Sequence, residues 1–464
     1  SGPAPTETMH KDGCDWSLRM RDEPTPVLCT TPPQGSVGRS ACGFWAMRIQ
    51  SSCGPRCRFL WRIRPTRKSR RDLRSRTLRP YFHNTAWIVA EKLLAMALAF
   101  VATVFVARYL GPGDFGILAY ATSLAALFGI AGHLGLQGLV VRELVKKPAL
   151  RAETLGTAAV LKFGGVVVGY VALLGYAAVY EGADSKAFKL IAIAGAAVLF
   201  MPLNVIDNWF NAFVQARYVS VARVAGALAF AGGMLWLVAS GAGVVAFAVP
   251  YVLQALVAAV ALLLLFRARS GMRLADWRFD AGHARELLSQ GWVIYLASFF
   301  SVVYLKIDQV MLRWLSDPSE VGVYAVAARL SEALYFIPVA IVASVFPRLI
   351  ALRDESERRF THRLQQLFDG LVALGMLIAL LVTALAPWLV PLIFGADYVA
   401  STPILVIHTW ASVFIFMRAA LSRWILIENA LYFSMLNQGL GALSNVGLNY
   451  MLIPFYGGKG AAWA

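Results

Sequence analysis

From about residue 84 onward the chain alternates long apolar stretches with short polar breaks. Eleven apolar stretches are readable: about 84–107, 116–138, 155–180, 188–212, 216–239, 243–266, 288–314, 321–346, 364–387, 402–426 and 431–454. About 20 helical residues cross the hydrocarbon core of a bilayer. In lipid every backbone N–H and C=O needs an internal partner, so only helices and closed barrels span it. Barrel strands alternate apolar and polar residues over about 10 positions, whereas these runs are continuous. The pattern therefore predicts an all-α, polytopic membrane protein with about 11 helices, spans 1 to 11 in chain order.

Composition agrees. The 464 residues are 58% hydrophobic and 15% charged, with a mean hydropathy of +0.62, against about 45–50% apolar and 25% charged in soluble domains. The net charge of +17 is unevenly placed: residues 1–80 hold 16 Lys/Arg and 6 Asp/Glu. Residues 56–79 alone carry eleven Arg/Lys, and all five cysteines lie within the first 57 residues. Such a basic run reads as a nucleic-acid patch or as a disordered tail resting on anionic lipid. The second reading is favoured, with translated sequence upstream of the true start as a variant of it. No apolar core with a cleavage site marks a signal peptide. The spacing of Cys53 and Cys57 matches no standard zinc finger. Residues 1–80 are thus expected to form a basic, disordered extension with no nucleic-acid partner.

The loop charges give an orientation, because Lys and Arg collect on the cytoplasmic side. Loops after even-numbered spans carry sixteen, among them Arg142, Lys146, Lys147, Arg273, Arg348 and Arg358. Those after odd-numbered spans are neutral, balanced or acidic, as at Gly111–Asp114, Glu181–Lys186 and Asp317–Glu320. The even loops and the N-terminus are therefore expected inside.

Two odd-numbered turns share a motif. The first reads Arg108-Tyr-Leu-Gly…Asp114-Phe-Gly116 and the second Arg313-Trp-Leu-Ser…Glu320-Val-Gly322, about 205 residues later. An internal repeat with an even number of spans places both halves in the same topology, as in parallel-repeat transporters. The halves are then an N-terminal lobe, 81–268, of spans 1–6, and a C-terminal lobe, 286–464, of spans 7–11. By this count the last helix or helices of the second half are missing.

A charge at the bilayer centre costs at least about 2.5–3.5 kcal/mol, so it faces a partner or a watery cavity. Span 7 holds Lys306 and Asp308, and span 8 holds Arg329 and Glu332. Both pairs lie roughly 13 Å below the outer boundary at 1.5 Å per residue. They can form a structural ion-pair cluster or a site for an anionic group and a coupling cation. Span 10 contributes Arg418, which either attracts phosphate or snorkels to headgroups. In span 4, Asn204, Asp207, Asn208 and Asn211 share one face and line a vestibule or bond between helices. Span 11 repeats this with Asn437, Asn445 and Asn449. Of Glu91 and Lys92, adjacent on span 1, one is expected to pack inward. His133 and His408 are isolated. No nucleophile–base set, phosphate loop or metal-ligand set is present, and the longest outer loop is about 15 residues. Transport is favoured over catalysis, with no catalytic residue and no cofactor.

The chain resembles the polysaccharide-unit (lipid-linked oligosaccharide) flippases, within the superfamily that includes the multidrug-and-toxin-extrusion carriers. The resemblance runs from about Asn84 to Ala464. It rests on Asn84-Thr-Ala-Trp, Ala107-Arg-Tyr-Leu-Gly-Pro-Gly-Asp-Phe-Gly116, Val141-Arg-Glu-Leu144 and Lys306-Ile-Asp-Gln-Val-Met-Leu312. It continues through Val321-Gly-Val-Tyr324, Phe346-Pro-Arg-Leu349, Pro391-Leu-Ile-Phe-Gly-Ala-Asp-Tyr398 and Ile453-Pro-Phe-Tyr-Gly457. It implies two parallel six-helix lobes around a central cavity in the bacterial cytoplasmic (inner) membrane. The implied activity moves undecaprenyl-pyrophosphate-linked sugar units outward for O-antigen or exopolysaccharide assembly, alongside other polysaccharide-assembly membrane proteins. Lys306, Arg329 and Arg418 are the expected pyrophosphate contacts, and Asp308 and Glu332 the expected proton or sodium coupling groups. An ion-coupled drug or metabolite exporter of the same superfamily is the alternative, and a membrane polymerase or ligase the third reading.

Overall fold

The computed structural model describes residues 67–428 and 430–464, and most side chains from Asn84 onward. The expectations for residues 1–66, including the Cys53–Cys57 reading, lie outside the described residues.

Spans 1 and 2 form one long helix, α1 (Arg67–Gly129), interrupted at Gly111. There φ is +69°, a left-handed value that glycine adopts without a Cβ penalty, and Pro112 restarts the helix. The polar turn expected at Gly111–Asp114 is therefore a kink within helix. The helix also begins at Arg67, inside the basic stretch expected to be irregular. Arginine is a good helix former, and here it extends a helix already nucleated by the first span.

The N-terminal lobe continues with α2 (Gln137–Lys146), α3 (Arg151–Tyr180), α4 (Lys186–Ala196), α5 (Val205–Ala212), α6 (Ala216–Ala239) and α7 (Val249–Arg269). The C-terminal lobe comprises α8 (Ala281–Leu315), α9 (Pro318–Leu334), α10 (Phe336–Glu355), α11 (Glu357–Phe394), α12 (Ser401–Ile427), α13 (Leu431–Tyr456) and the short α14 (Gly458–Trp463). All eleven expected spans are helical, and the described residues are all-α. Two spans are broken where proline removes a backbone donor. Span 4 tightens into a 3-10 stretch, Ala197–Asn204, around Pro202. Span 8 divides into α9 and α10 just before Pro338, whose nitrogen cannot bond to the Leu334 carbonyl.

Nine stretches among the described residues are long and apolar enough to cross a membrane. The first of them, Asn84–Lys146, contains both arms of α1. Large apolar side chains such as Val168, Val171, Leu392 and Leu443 face outward, as a lipid-facing surface requires. The chain is a multi-pass membrane protein.

The lobes share a core at one end, and at the other they meet along the start of α8. One buried cluster gathers Val106, Tyr120, Leu190 and Phe247 of the N-terminal lobe with Leu312, Tyr324, Phe394 and Tyr398 of the C-terminal lobe. All lie near the odd-numbered turns. At the opposite end the clusters are separate: Leu144, Phe210 and Phe266 pack with Leu287 of α8 in one, and Val342, Leu371, Phe416 and Phe360 of the C-terminal lobe form the others. The bundle is sealed at the end expected to face outward.

Candidate functional site

Between the lobes lies a cavity of about 620 Å³, within the range of small-molecule sites. One wall comes from the second arm of α1, the 3-10 stretch of span 4, and α7; the other comes from α8 and α9. The walls differ chemically. The C-terminal lobe presents Lys306 and Arg329, while the N-terminal lobe presents Ser123, His133, Asn204 and Gln254. Ser123 Oγ donates to Gln309 Oε1 at 2.8 Å, tying the two walls together.

The two cations are in different states. Lys306 Nζ lies 3.0 Å from Glu332 Oε1, with both side chains about one-quarter exposed. Arg329, three residues before Glu332, makes no ion pair or hydrogen bond among the described residues. Its guanidinium borders the main cavity and also a second one of about 220 Å³. Met96, Ala99, Phe100 and Thr103 of the first arm of α1 form the far wall of that second cavity. Arg329 is thus an uncommitted cation between two cavities lined largely by apolar side chains, with Glu332 also bordering the second.

Asp308 takes no part in this wall. Only 7% exposed, it points into the C-terminal lobe. There Tyr324 Oη donates to its Oδ2 at 2.5 Å and Asn449 Nδ2 to its Oδ1 at 2.7 Å. Having given its hydrogen to Asp308, the Tyr324 hydroxyl accepts from His408 Nε2 at 2.9 Å. His408 Nδ1 is 3.1 Å from Ser331 Oγ. Asn449 Nδ2 also reaches Asn445 Oδ1 at 3.3 Å, while the buried Asn449 Oδ1 has no partner. The network joins α8, α9, α12 and α13 around one carboxylate and an orphaned acceptor.

Of the five expected site residues, the structure groups Lys306, Arg329 and Glu332, and sets Asp308 behind them. Arg418 stands apart: it is exposed on α12, bonds to the Tyr304 hydroxyl of α8 and lies over that ring, 5.5 Å from its centroid. The two opposite-charge pairs expected at one depth reduce to one. Gln254 is not singled out in the sequence, Gln309 and Tyr324 stand there only as motif members, and His408 stands there as isolated; an isolated polar residue in a span carries no signal of what it faces.

A second charged group sits in the N-terminal lobe. Asp207 is 2% exposed and takes one contact from Arg223 at 2.5 Å, leaving its Oδ1 without a partner. Glu91 and Lys162 are also buried and interact electrostatically with Asp207. Glu91 is the inward member of the Glu91–Lys92 pair. The polar face of span 4 is split: Asn204 lines the cavity, whereas Asp207 and Asn208 pack inside the lobe. No cluster of three metal-ligating side chains is found among the described residues.

Residues 82–353 match the family described as polysaccharide biosynthesis protein. The chain is similar to a Haloferax volcanii protein named "Probable flippase AglR": 26% identity over 384 residues, covering 78% of this chain and 76% of that protein. In fold it resembles the lipid II flippase MurJ in an inward closed conformation. The TM-score is 0.62 at 16% identity, over 81% of this chain and 83% of that one. It also resembles a multidrug resistance MATE family transporter of the MOP superfamily in an inward-facing conformation. There the TM-score is 0.55 at 15% identity, over 81% and 93% of the two chains.

Proposed function

The chain belongs to the polysaccharide biosynthesis protein family, and from that premise we propose that it is a flippase for a polyprenyl-pyrophosphate-linked oligosaccharide. In a bacterial cytoplasmic membrane the lipid would be undecaprenyl pyrophosphate and the direction inner to outer leaflet, for surface polysaccharide assembly. The observation that carries the reading is the asymmetry of the cavity walls. Burying an unpaired ion in hydrocarbon costs many kcal/mol, so a pyrophosphate needs a watery, cationic path. Arg329 supplies a free guanidinium, whose planar fork of donors matches a phosphate bidentately, and Lys306 lies beside it. The facing wall offers the amides of Asn204 and Gln254, which both donate and accept and so suit sugar hydroxyls. The second cavity beyond Arg329, whose α1 wall of Met96, Ala99 and Phe100 is apolar, gives the first isoprene units a route to the bilayer between α1 and α9.

Asp308 fits the coupling role. A proton or a sodium ion taken up between its carboxylate and the orphaned Asn449 carbonyl would satisfy that acceptor and neutralise the buried charge. Glu332 serves the cavity instead, holding Lys306 in place. Arg418 lies outside this chamber.

A drug or metabolite exporter of the same fold is the second reading, since the MATE carrier shares the architecture. A wall bearing the unpaired Arg329 beside the Lys306–Glu332 pair favours an anionic cargo over the cationic drugs that an acidic chamber would take. Deleting the gene and measuring lipid-linked glycans tests the choice. The flippase reading expects loss of surface glycan with build-up of the lipid-linked intermediate on the cytoplasmic leaflet. Unchanged glycan and no build-up would sink it.

A further inference from the structure

The repeated motif has a place in the fold that the cavity does not use. Its two copies pack against each other at the sealed end of the bundle. Gly116 sits on the first turn of α9 so closely that a Cβ would lie 2.0 Å from the Pro318 carbonyl oxygen. Gly322 sits in the same way on the first turn of the second arm of α1, where a Cβ would lie 2.0 Å from the Pro112 carbonyl oxygen. Each glycine follows its own helix-starting proline by four residues. The contact is reciprocal, backbone against backbone, with no space for any side chain.

The motif arginines repeat the exchange. Arg108, of the N-terminal lobe, donates from Nε to the Ile393 carbonyl at 2.7 Å and from its guanidinium to the Leu392 carbonyl, at the end of α11. Arg313, of the C-terminal lobe, lies 3.0 Å from the Glu181 carboxylate, one residue past the end of α3. α3 is the third span of its lobe and α11 the third span of the other. Each arginine therefore reaches the equivalent helix end of the opposite lobe. On one side the acceptors are main-chain carbonyls; on the other a single carboxylate holds the arginine. Trp314 reinforces that side, donating from Nε1 to Tyr176 Oη at 2.6 Å and stacking on Tyr180.

We propose that the duplicated Arg-aromatic-Leu…Gly motif is the latch that closes this end of the transporter, and that it must part for the cavity to open there. The glycines set how closely the helices meet. The arginines hold the meeting, and Arg313–Glu181 is the strut that a change on either partner removes, since Arg108 bonds to main-chain carbonyls. The latch does not depend on what is carried, so its test needs no substrate.

The test places one reporter cysteine on the cavity wall, Ala126→Cys, in the full chain with the five native cysteines changed to serine. Membrane vesicles of both orientations are treated with a membrane-impermeant maleimide. In the parent, labelling should come only from the side opposite the latch. Glu181→Gln, Arg313→Gln and Gly116→Ala should each raise labelling from the latch side at least threefold. The exchange Glu181→Arg with Arg313→Glu should return it to the parent level. Each variant is checked for monodisperse elution in detergent. The proposal is overturned if folded Glu181→Gln and Arg313→Gln proteins label as the parent does, or if the exchange fails to restore closure. It is overturned equally if the parent already labels from the latch side. Loss of glycan transport plays no part in these outcomes, so a wrong cargo would leave them intact.

Discussion

The cavity's chemistry turns on how four charged residues are distributed around two helices. A helix turns about 100° per residue, so Lys306 and Asp308, two apart, point about 200° from one another. One faces the chamber and the other must face the lobe interior. Depth along the span was legible in the sequence; azimuth was not, because nothing in an apolar span says which side meets the partner lobe. Arg329 and Glu332, three apart, share a face. Glu332 therefore reaches Lys306 and leaves Arg329 free. Removing each charge should then have a different effect. Arg329→Gln should reduce glycan flipping at least tenfold in reconstituted vesicles, with thermal stability unchanged, because no partner is stranded. Glu332→Gln should lower stability by about 1–3 kcal/mol, since it leaves Lys306 unpaired in a half-buried site. Adding Lys306→Met should recover most of that loss. A destabilised Arg329→Gln protein, or no recovery in the double variant, would contradict the assignment.

At the scale of the element, buried polar networks do what apolar packing does in a soluble protein. Lipid is as apolar as the helix surfaces, so hydrogen bonds and close contacts hold spans together. The Asp308 network joins four helices of the C-terminal lobe through Tyr324, His408 and Asn449. Tyr324→Phe removes a donor to Asp308 and an acceptor for His408. It should cost about 1–3 kcal/mol, read as a lower melting temperature in detergent. Asp308→Asn should also abolish any dependence of flipping on an imposed proton or sodium gradient; a retained dependence would remove Asp308 from the coupling role. In the N-terminal lobe, Arg223→Met strands the buried Asp207 carboxylate and should cost about 2–3 kcal/mol, less than for a fully buried pair because Arg223 is partly exposed. The helix count was legible from hydropathy, and the prolines were in plain view. Less so was what Pro202 and Pro338 do, since proline in a span can kink, tighten or break the helix according to its neighbours.

For the whole molecule, the sequence carried more than hydropathy. The duplicated motif predicted two lobes in parallel topology, and the two copies do meet across the lobe boundary. The split of the cores was invisible, because it depends on which state of the cycle the helices occupy. One shared core near the odd-numbered turns, against smaller clusters that meet through the start of α8 near the even-numbered ones, describes a cavity closed most tightly at one end. The loop charges predict which side of the membrane that is. Sixteen Lys/Arg sit in the even loops, and each is worth about 1 kcal/mol beside an anionic leaflet. The odd turns hold far fewer, Arg108, Lys186 and Arg313 among them. A reporter enzyme active only outside the cell should therefore work when fused after Gly182 or Ser240 and fail when fused after Lys147 or Ser270. With that topology the latch is on the outer face and the chamber described here is inward-facing, ready to receive a cytoplasmic-leaflet lipid. The reverse reporter pattern would turn the molecule over. The same chamber would then face outward, and Arg329 would be placed to release cargo or to carry it in the opposite direction.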